Sequence, residues 1–200
     1  MTNAVFFLVA LVSYLIGSIS SGIIISTLKG RNVRNEGSKS SGATNVTRVL
    51  GLSYGMLTFL GDFAKAGIAV FIGWLFAKTP GAMAASVFCV IGHNWPVYYN
   101  FKGGKGIVCS VAVVILLCPL EGLLAGAAAI LVIWWTRFVS LGSLTFLVVS
   151  TITLFITRGA FPYGWWAVIL LVMGLFQHRS NISRLISGTE NKFSPKRNAS

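Results

Sequence analysis

The chain has 200 residues, of which 55% are hydrophobic and only 10% charged, and its mean hydropathy is +0.80. So few charges cannot clothe a soluble domain of this size, so the composition excludes an ordinary water-soluble globule and points to an integral membrane protein. The formal net charge of +12 does not mark a nucleic-acid binder, because the basic residues sit between apolar runs, as they do in the cytoplasmic loops of membrane proteins.

A helical span needs about 20 mostly apolar residues. The first runs from Ala4 to Thr27. It has no basic residue before it and no small-residue cleavage pattern after its core, so it is expected to remain as a span. The polar stretch Asn35 to Asn45, NEGSKSSGATN, follows. Its glycines, serines and threonine can let successive backbone N–H groups converge on an anion. Thr44 or Asn45 can cap the next helix and aim its positive end at the same place, with Arg48 one turn beyond. Gly37 and Gly42 have the spacing of a Walker loop, but Ala43 stands where that loop needs lysine. A plain cytoplasmic linker is the competing reading of the same residues.

The second span is placed at Gly55 to Phe76 and the third at Gly81 to Tyr99. Asp62 and Lys65 lie at i, i+3 inside the second, and intramembrane charges of this kind are read as an ion pair supporting a site. The third span runs into GHNWPVYYNFKGGKG, Gly92 to Gly106, which sets Lys102 and Lys105 among Gly103, Gly104 and Gly106. A lysine flanked by glycines reaches a phosphate without steric cost, although two lysines at a positive-inside turn look the same. His93 is read as a structural residue whose ring N–H caps a carbonyl freed near Pro96.

Gly106 to Trp135 is too long for one comfortable span and short for two, and Pro119 and Glu121 fall near its middle. Sidedness decides. Two short spans turning at Cys118 to Glu121 put Arg137 and the basic tail on the same side as the first loop. Thirteen of the sixteen basic residues are then cytoplasmic, with Lys78 and Arg158 outside and Lys65 within a span. With Leu141 to Thr157 and Phe161 to Phe176 the expectation is an all-α membrane protein of seven transmembrane helices, N-terminus outside and C-terminus cytoplasmic. Spans of about fourteen residues imply local thinning of the bilayer or burial against neighbours.

Small residues recur at four-residue spacing, Gly17 with Ser21, Ser18 with Gly22 and Gly122 with Gly126, which predicts close helix packing. Near the end of the chain stands HRSNISRLISGTE, His178 to Glu190, where His178 and Asn181 share a helix face that Arg184 continues. Residues 1–193 are read as one membrane domain and 194–200 as a frayed, solvated tail. Cys89, Cys109 and Cys118 read as buried free thiols, and two histidines and four acids offer too little for a metal cage. The topology brings the three polar segments, together with Arg137 to Ser143, to one face. They suit two anionic groups. With no nucleophile–base pair and no acid dyad, an enzyme of this kind would work by positioning and charge stabilisation.

These motifs resemble those of the bacterial acyl-phosphate:glycerol-3-phosphate acyltransferases (the PlsY family), over nearly the whole chain. GSKSSGATN resembles the family's GSGNxGxTN. GHNWPVYYNFKGGKG matches GHxxPxxxxFxGGKG in full, and QHRSNISRLISGTE resembles RHxxNIxRLxxGxE. RFVSLGS resembles the family's serine-bearing segment. The resemblance implies a seven-helix enzyme of the bacterial inner membrane with its active site at the cytoplasmic face. It would move an acyl chain from acyl phosphate to position 1 of glycerol-3-phosphate, without metal or other cofactor. It further implies that the loop Gly37, Ser38, Lys39, Ser40, Gly42, Thr44 and Asn45 holds acyl phosphate and stabilises the oxyanion. Arg48, Lys105, Ser143, His178 and Asn181, with Gly103 and Gly104, would hold glycerol-3-phosphate, and Ser38, Lys105 and His178 would be catalytic. The attacking hydroxyl's proton would pass to a substrate phosphate. Two departures stand out: Lys39-Ser40 replaces Gly-Asn, and Gln177 replaces the arginine before His178. Membrane lipid is the expected surrounding and the chain is taken as a monomer, with no nucleic-acid partner.

The rival from another class is a membrane transporter of a phosphorylated small molecule. Its helix breaks should lie at the membrane midplane, whereas here they gather at one face. An acyl-CoA enzyme would usually carry H-x4-D, and neither His93 nor His178 has an acid at that distance.

Overall fold

The computed structural model describes residues 3–193, and the tail at 194–200 lies outside them. Every regular element among the described residues is helical. Five stretches are long and apolar enough to cross a membrane: Asn3–Leu28, Leu52–Tyr99, Pro119–Thr136, Val139–Arg158 and Ala160–Gln177. A shorter apolar helix spans Ile107–Leu117. The chain divides into two compact units, residues 3–113 and Val114–Phe193.

In the first unit the expected opening span is two helices, α1 (Asn3–Ser18) and α2 (Ser21–Leu28). The break is local chemistry. Ser20 is extended and its hydroxyl accepts from the Ile23 N–H at 3.4 Å, which starts α2 afresh. A short amphipathic helix α3 (Ala43–Leu50) leads through Gly51 into α4 (Leu52–Asn94). Helix α4 is bent at Ala77 and Lys78, where the backbone leaves helical geometry two residues before Pro80. Its arms fold back on each other: the Gly73 and Gly81 backbones are in contact, although eight residues of continuous helix would hold them about 12 Å apart. The expected second and third spans are these two arms. The third ends at Asn94, earlier than expected, because Pro96 stops it and Val97–Tyr99 form a 3-10 turn. Helix α5 (Ile107–Leu117) opens after Gly106.

Small residues set the packing here. A Cβ at Gly17 would overlap the Cys89 backbone, one at Gly92 the Tyr14 carbonyl, one at Gly22 the Ser41 carbonyl and one at Gly61 the Ser21 side chain. The first two pairs read from the sequence thus line close seams of α1 and α2 on α4 and the loop before α3, backbone against backbone except where Gly61 meets the Ser21 side chain.

In the second unit α6 (Pro119–Thr136), α7 (Val139–Arg158) and α8 (Trp165–Gln177) pack in sequence, and α9 (Arg179–Ile186) follows. The break at Cys118 falls where it was expected, with Pro119 at the first turn of α6. Helix α6 has 18 residues, however, so only α5, with 11, is short. Glu121 is buried and takes Arg158 Nε at 2.8 Å and the Thr157 hydroxyl at 2.7 Å, which ties α6 to the end of α7. Gly122 abuts Ile115, but Gly126 has nothing within 4 Å, so that predicted packing pair is only half used.

Gly17→Val is expected to lower stability by about 1–3 kcal/mol, since rigid backbone meets the added carbons. Gly126→Ala should be neutral or slightly stabilising. Thermal unfolding of both variants in detergent checks the contrast.

Candidate functional site

The polar loop before α3 is organised by one side chain. Asn45, in the first turn of α3 and 1% exposed, points back into the loop. Its amide nitrogen shares two N–H groups among Val33 O at 2.9 Å, Glu36 O at 3.0 Å and Ser40 O at 2.9 Å, and its Oδ1 accepts from Ser38 N at 2.8 Å. The expectation that Asn45 or Thr44 caps α3 is corrected: Gly42 is the cap residue, and no side chain caps the helix. Asn45 instead replaces the strand or helix partners that a loop backbone lacks.

This stapling fixes the backbone. Gly37 and Lys39 both have φ of +57°, the left-handed region that favours glycine, and a Cβ at Gly37 would run into Asn45 Oδ1. A freely convergent nest of amides is not what forms. Ser38 N is used by Asn45, Lys39 N by Glu36 O, and Gly42 N by the Ser40 hydroxyl at 3.3 Å. The first amides of α3, at Ala43 and Thr44, are those that helix geometry leaves without an intrahelical acceptor. Beside them Ser41 is fully buried, and its hydroxyl has no hydrogen-bond partner among the described residues. Ser41 was missed in the sequence; a serine next to Ser40 in a serine-rich loop carries no signal of burial. Lys39 is exposed, and Arg48 sits half-buried in the last turn of α3. Arg31 forms an ion pair with Glu36, and Arg34 reaches Tyr99 O at 3.4 Å, which ties this loop to the next.

The glycine turn lies in the same unit. Asn100 and Phe101 are left-handed, and Gly104 N donates to His93 O at 3.1 Å. A Cβ at Gly103 would overlap His93 O and Pro96, one at Gly104 the His93 ring, and one at Gly106 the Asn94 side chain. All three glycines are therefore required by close approach. They present half-buried Lys105 two residues before α5, where the positive end of a helix adds to its charge. The His93 ring does not cap a carbonyl near Pro96. Its Nδ1 lies 2.9 Å from Lys65 Nζ. Tyr14, from α1, hydrogen-bonds Trp95 O at 2.9 Å instead.

Ser143, His178 and Asn181 belong to the second unit. Ser143 donates its hydroxyl to Val139 O at 2.8 Å. His178 stands at the junction of α8 and α9, and its Nδ1 lies 2.8 Å from Gly174 O. A carbonyl only accepts, so Nδ1 carries a proton. Asn181 and Arg184 share a face as expected, but their common partner is Glu190. Asn181 Nδ2 and the Ser140 hydroxyl both donate to Oε1, at 2.7 and 2.8 Å, and Arg184 Nε donates to Oε2 at 2.7 Å. Phe193 N donates to Arg137 O at 2.7 Å, closing the segment onto the start of α7. Burial disfavours the Glu190 anion most, yet the hydrogen bonds from Asn181, Ser140 and Arg184 outweigh it and hold the carboxyl below its usual range. No group of three or more metal-ligating side chains exists among the described residues.

The family model for glycerol-3-phosphate acyltransferase matches residues 7–188. The glycerol-3-phosphate acyltransferase of Thermoanaerobacter pseudethanolicus is 44% identical over 94% of this chain and 96% of its own. That of Halalkalibacterium halodurans is 41% identical over 92% and 94%. The crystal structure of PlsY (YgiH), an integral membrane glycerol 3-phosphate acyltransferase, in its glycerol 3-phosphate form superposes with a TM-score of 0.90 at 34% identity, covering 94% of this chain and 96% of that one. Its lysophosphatidic acid form gives 0.85 at 33%, covering 95% and 96%.

The Glu190 anchor predicts a pH dependence. A carboxyl whose folded pKa is depressed contributes stability above its unfolded value, about 4.3, and loses that contribution as pH falls through the lower folded value. Wild type should therefore melt above Glu190→Gln near neutral pH, and the two melting curves should converge as pH is taken below the ordinary carboxylate range.

Proposed function

The chain belongs to the glycerol-3-phosphate acyltransferase family, and from that premise we propose that it transfers an acyl chain from acyl phosphate to the 1-hydroxyl of glycerol-3-phosphate. The products are 1-acyl-glycerol-3-phosphate (lysophosphatidic acid) and inorganic phosphate. The observation that carries this reading is the likeness, over nearly the whole chain, to an enzyme solved with glycerol 3-phosphate and with lysophosphatidic acid.

The chemistry asks little of a protein base. The hydroxyl oxygen attacks the acyl carbonyl carbon, negative charge builds on the carbonyl oxygen, and the bond to the phosphate oxygen breaks. In this proposal the start of α3 and the loop Gly37, Ser38, Lys39, Ser40, Gly42, Thr44 and Asn45 hold the donor. Ser38 lies against the developing oxyanion, Asn45 keeps the loop in shape, and the hydroxyl proton passes to a substrate phosphate. Helix-terminal amides suit that role because their dipoles are fixed before the charge appears. Arg48, Lys105, Ser143, His178 and Asn181, with the Gly103 and Gly104 backbone, hold the acceptor; the lysine and arginine neutralise its phosphate and His178 orients its hydroxyl. The proposal includes a single membrane domain over 1–193, with seven crossings, the N-terminus outside, and the polar segments at the cytoplasmic face of a bacterial inner membrane. The bent α4 supplies two crossings and the short α5 one. It needs no cofactor and works as a monomer surrounded by lipid.

Purified protein given labelled glycerol-3-phosphate should form 1-acyl-glycerol-3-phosphate with acyl phosphate and not with acyl-CoA. Product from acyl-CoA alone would overturn the donor assignment.

Lys39 is the second test. Its left-handed backbone costs a non-glycine residue roughly 1–2 kcal/mol. The ammonium offsets that cost if it approaches the donor phosphate. Lys39→Gly should therefore raise thermal stability while raising KM for acyl phosphate, with a smaller effect on glycerol-3-phosphate. The donor KM should also rise with salt more steeply in wild type than in the variant. An unchanged donor KM at low salt would leave the loop working through its backbone alone.

A further inference from the structure

Lys65 is 6% exposed and Asp62 1%, within an apolar helical arm, where a buried ion pair adds little stability over well-packed apolar residues and intramembrane charges commonly support a site. Three acceptors surround the Lys65 ammonium: Asp62 Oδ1 at 2.9 Å, His93 Nδ1 at 2.9 Å and Ile19 O at 2.5 Å. An ammonium has three N–H groups and accepts nothing, so His93 Nδ1 is the acceptor and the ring proton resides on Nε2. The tautomer and the plane of the imidazole are thus set by Lys65. Lys65 in turn is held by Asp62 one turn before it and by the carbonyl released where α1 gives way to α2.

The other edge of the imidazole abuts the glycine turn. A Cβ at Gly104 would overlap His93 Nε2 and come within 2.9 Å of Cε1 and 3.0 Å of Cδ2. The backbone of the same residue also grips the turn, through Gly104 N donating to His93 O at 3.1 Å. A fourth contact reaches α5, where Cys109 Sγ lies 3.6 Å from Asp62 O. A bare structural ion pair would need neither the ring contact nor the absent Cβ.

We propose that Asp62, Lys65 and His93 form a positioning device for the acceptor site. Lys65 orients the His93 ring, the ring seats Gly104, and Gly104 aims Lys105 and the neighbouring amides at the phosphate of glycerol-3-phosphate. These three are positioning residues and touch no substrate. The inference rests on the acyltransferase reading for its ligand and on geometry for the rest.

The test uses the full chain in detergent or nanodiscs. Asp62→Asn with Lys65→Met removes both charges at nearly constant volume, so neither buried ion is left unpaired. The double variant is expected to raise KM for glycerol-3-phosphate about tenfold or more while changing KM for acyl phosphate less than about twofold. Two histidine variants separate the ring's edges. His93→Gln places an amide near the position of Nε2, and His93→Asn near that of Nδ1, so Gln should keep the lower glycerol-3-phosphate KM. Amide hydrogen exchange supplies a readout that does not depend on the reaction. Exchange over 102–106 should quicken in the double variant and in His93→Asn, with 37–45 unchanged. Unchanged exchange over 102–106, an unchanged acceptor KM, or a parallel rise in both KM values would overturn the proposal. If the double variant does not fold, equal behaviour of His93→Asn and His93→Gln overturns it. A wild type that acylates no glycerol-3-phosphate would instead sink the functional reading, and the exchange comparison would still decide this one.

Discussion

An ammonium inside an apolar helix bundle must be met by acceptors and a counter-charge, and Lys65 finds acceptors on His93 and Ile19 and the counter-charge on Asp62. Much of the first unit follows from that requirement. Lys65 and His93 are 28 residues apart on one helical segment, about 42 Å if it ran straight, so their contact requires the reversal at Ala77 and Lys78. The Ile19 carbonyl is available only because α1 ends at Ser18 and Ser20 restarts the chain as α2. A helix break that would be costly in lipid is satisfied by a buried cation, and the cation is satisfied by the break. Asp62 Oδ1 is held by charge at 2.9 Å rather than by a well-aligned hydrogen bond, and Oδ2 has no hydrogen-bond partner among the described residues.

The two candidate substrate loops solve a different problem. A loop that offers amides to an anion must keep its own backbone from collapsing onto them. Asn45 fixes the loop with one side chain bonded to the Val33, Glu36 and Ser40 carbonyls and to the Ser38 amide, which leaves the amides at the start of α3, rather than those of the loop, to be offered. The glycine turn does it by close approach, with its missing Cβ atoms filled by His93, Pro96 and Asn94. Preorganised dipoles stabilise developing charge without reorganising during the reaction, so rigidity of this kind suits the acyl transfer proposed above. Glu190 has the matching role in the second unit, where one carboxylate gathers Ser140, Asn181 and Arg184. Asn181, read from the sequence as a ligand, spends part of its amide on that anchor.

Composition alone determined that the chain lives in a membrane, because 10% charged residues cannot cover a soluble surface. Hydropathy placed the apolar helices closely, and Pro119 placed the break at Cys118, because both signals are local. The motif spacings determined the family, and its polar segments are the loop before α3, the glycine turn before α5 and the segment around α9. What tertiary structure decided lies in contacts between residues distant in sequence. That the carbonyl freed where α1 stops finds a partner depends on a lysine 46 residues beyond Ile19. That His93 orients a turn rather than capping a carbonyl depends on the same lysine, 28 residues before it. That Asn45 staples its loop instead of capping α3, and that Lys39 takes a glycine's conformation, follows from how the loop closes on itself. A sequence records which groups need partners; only the folded chain, by bringing distant segments to within 3 Å, determines which partners they receive.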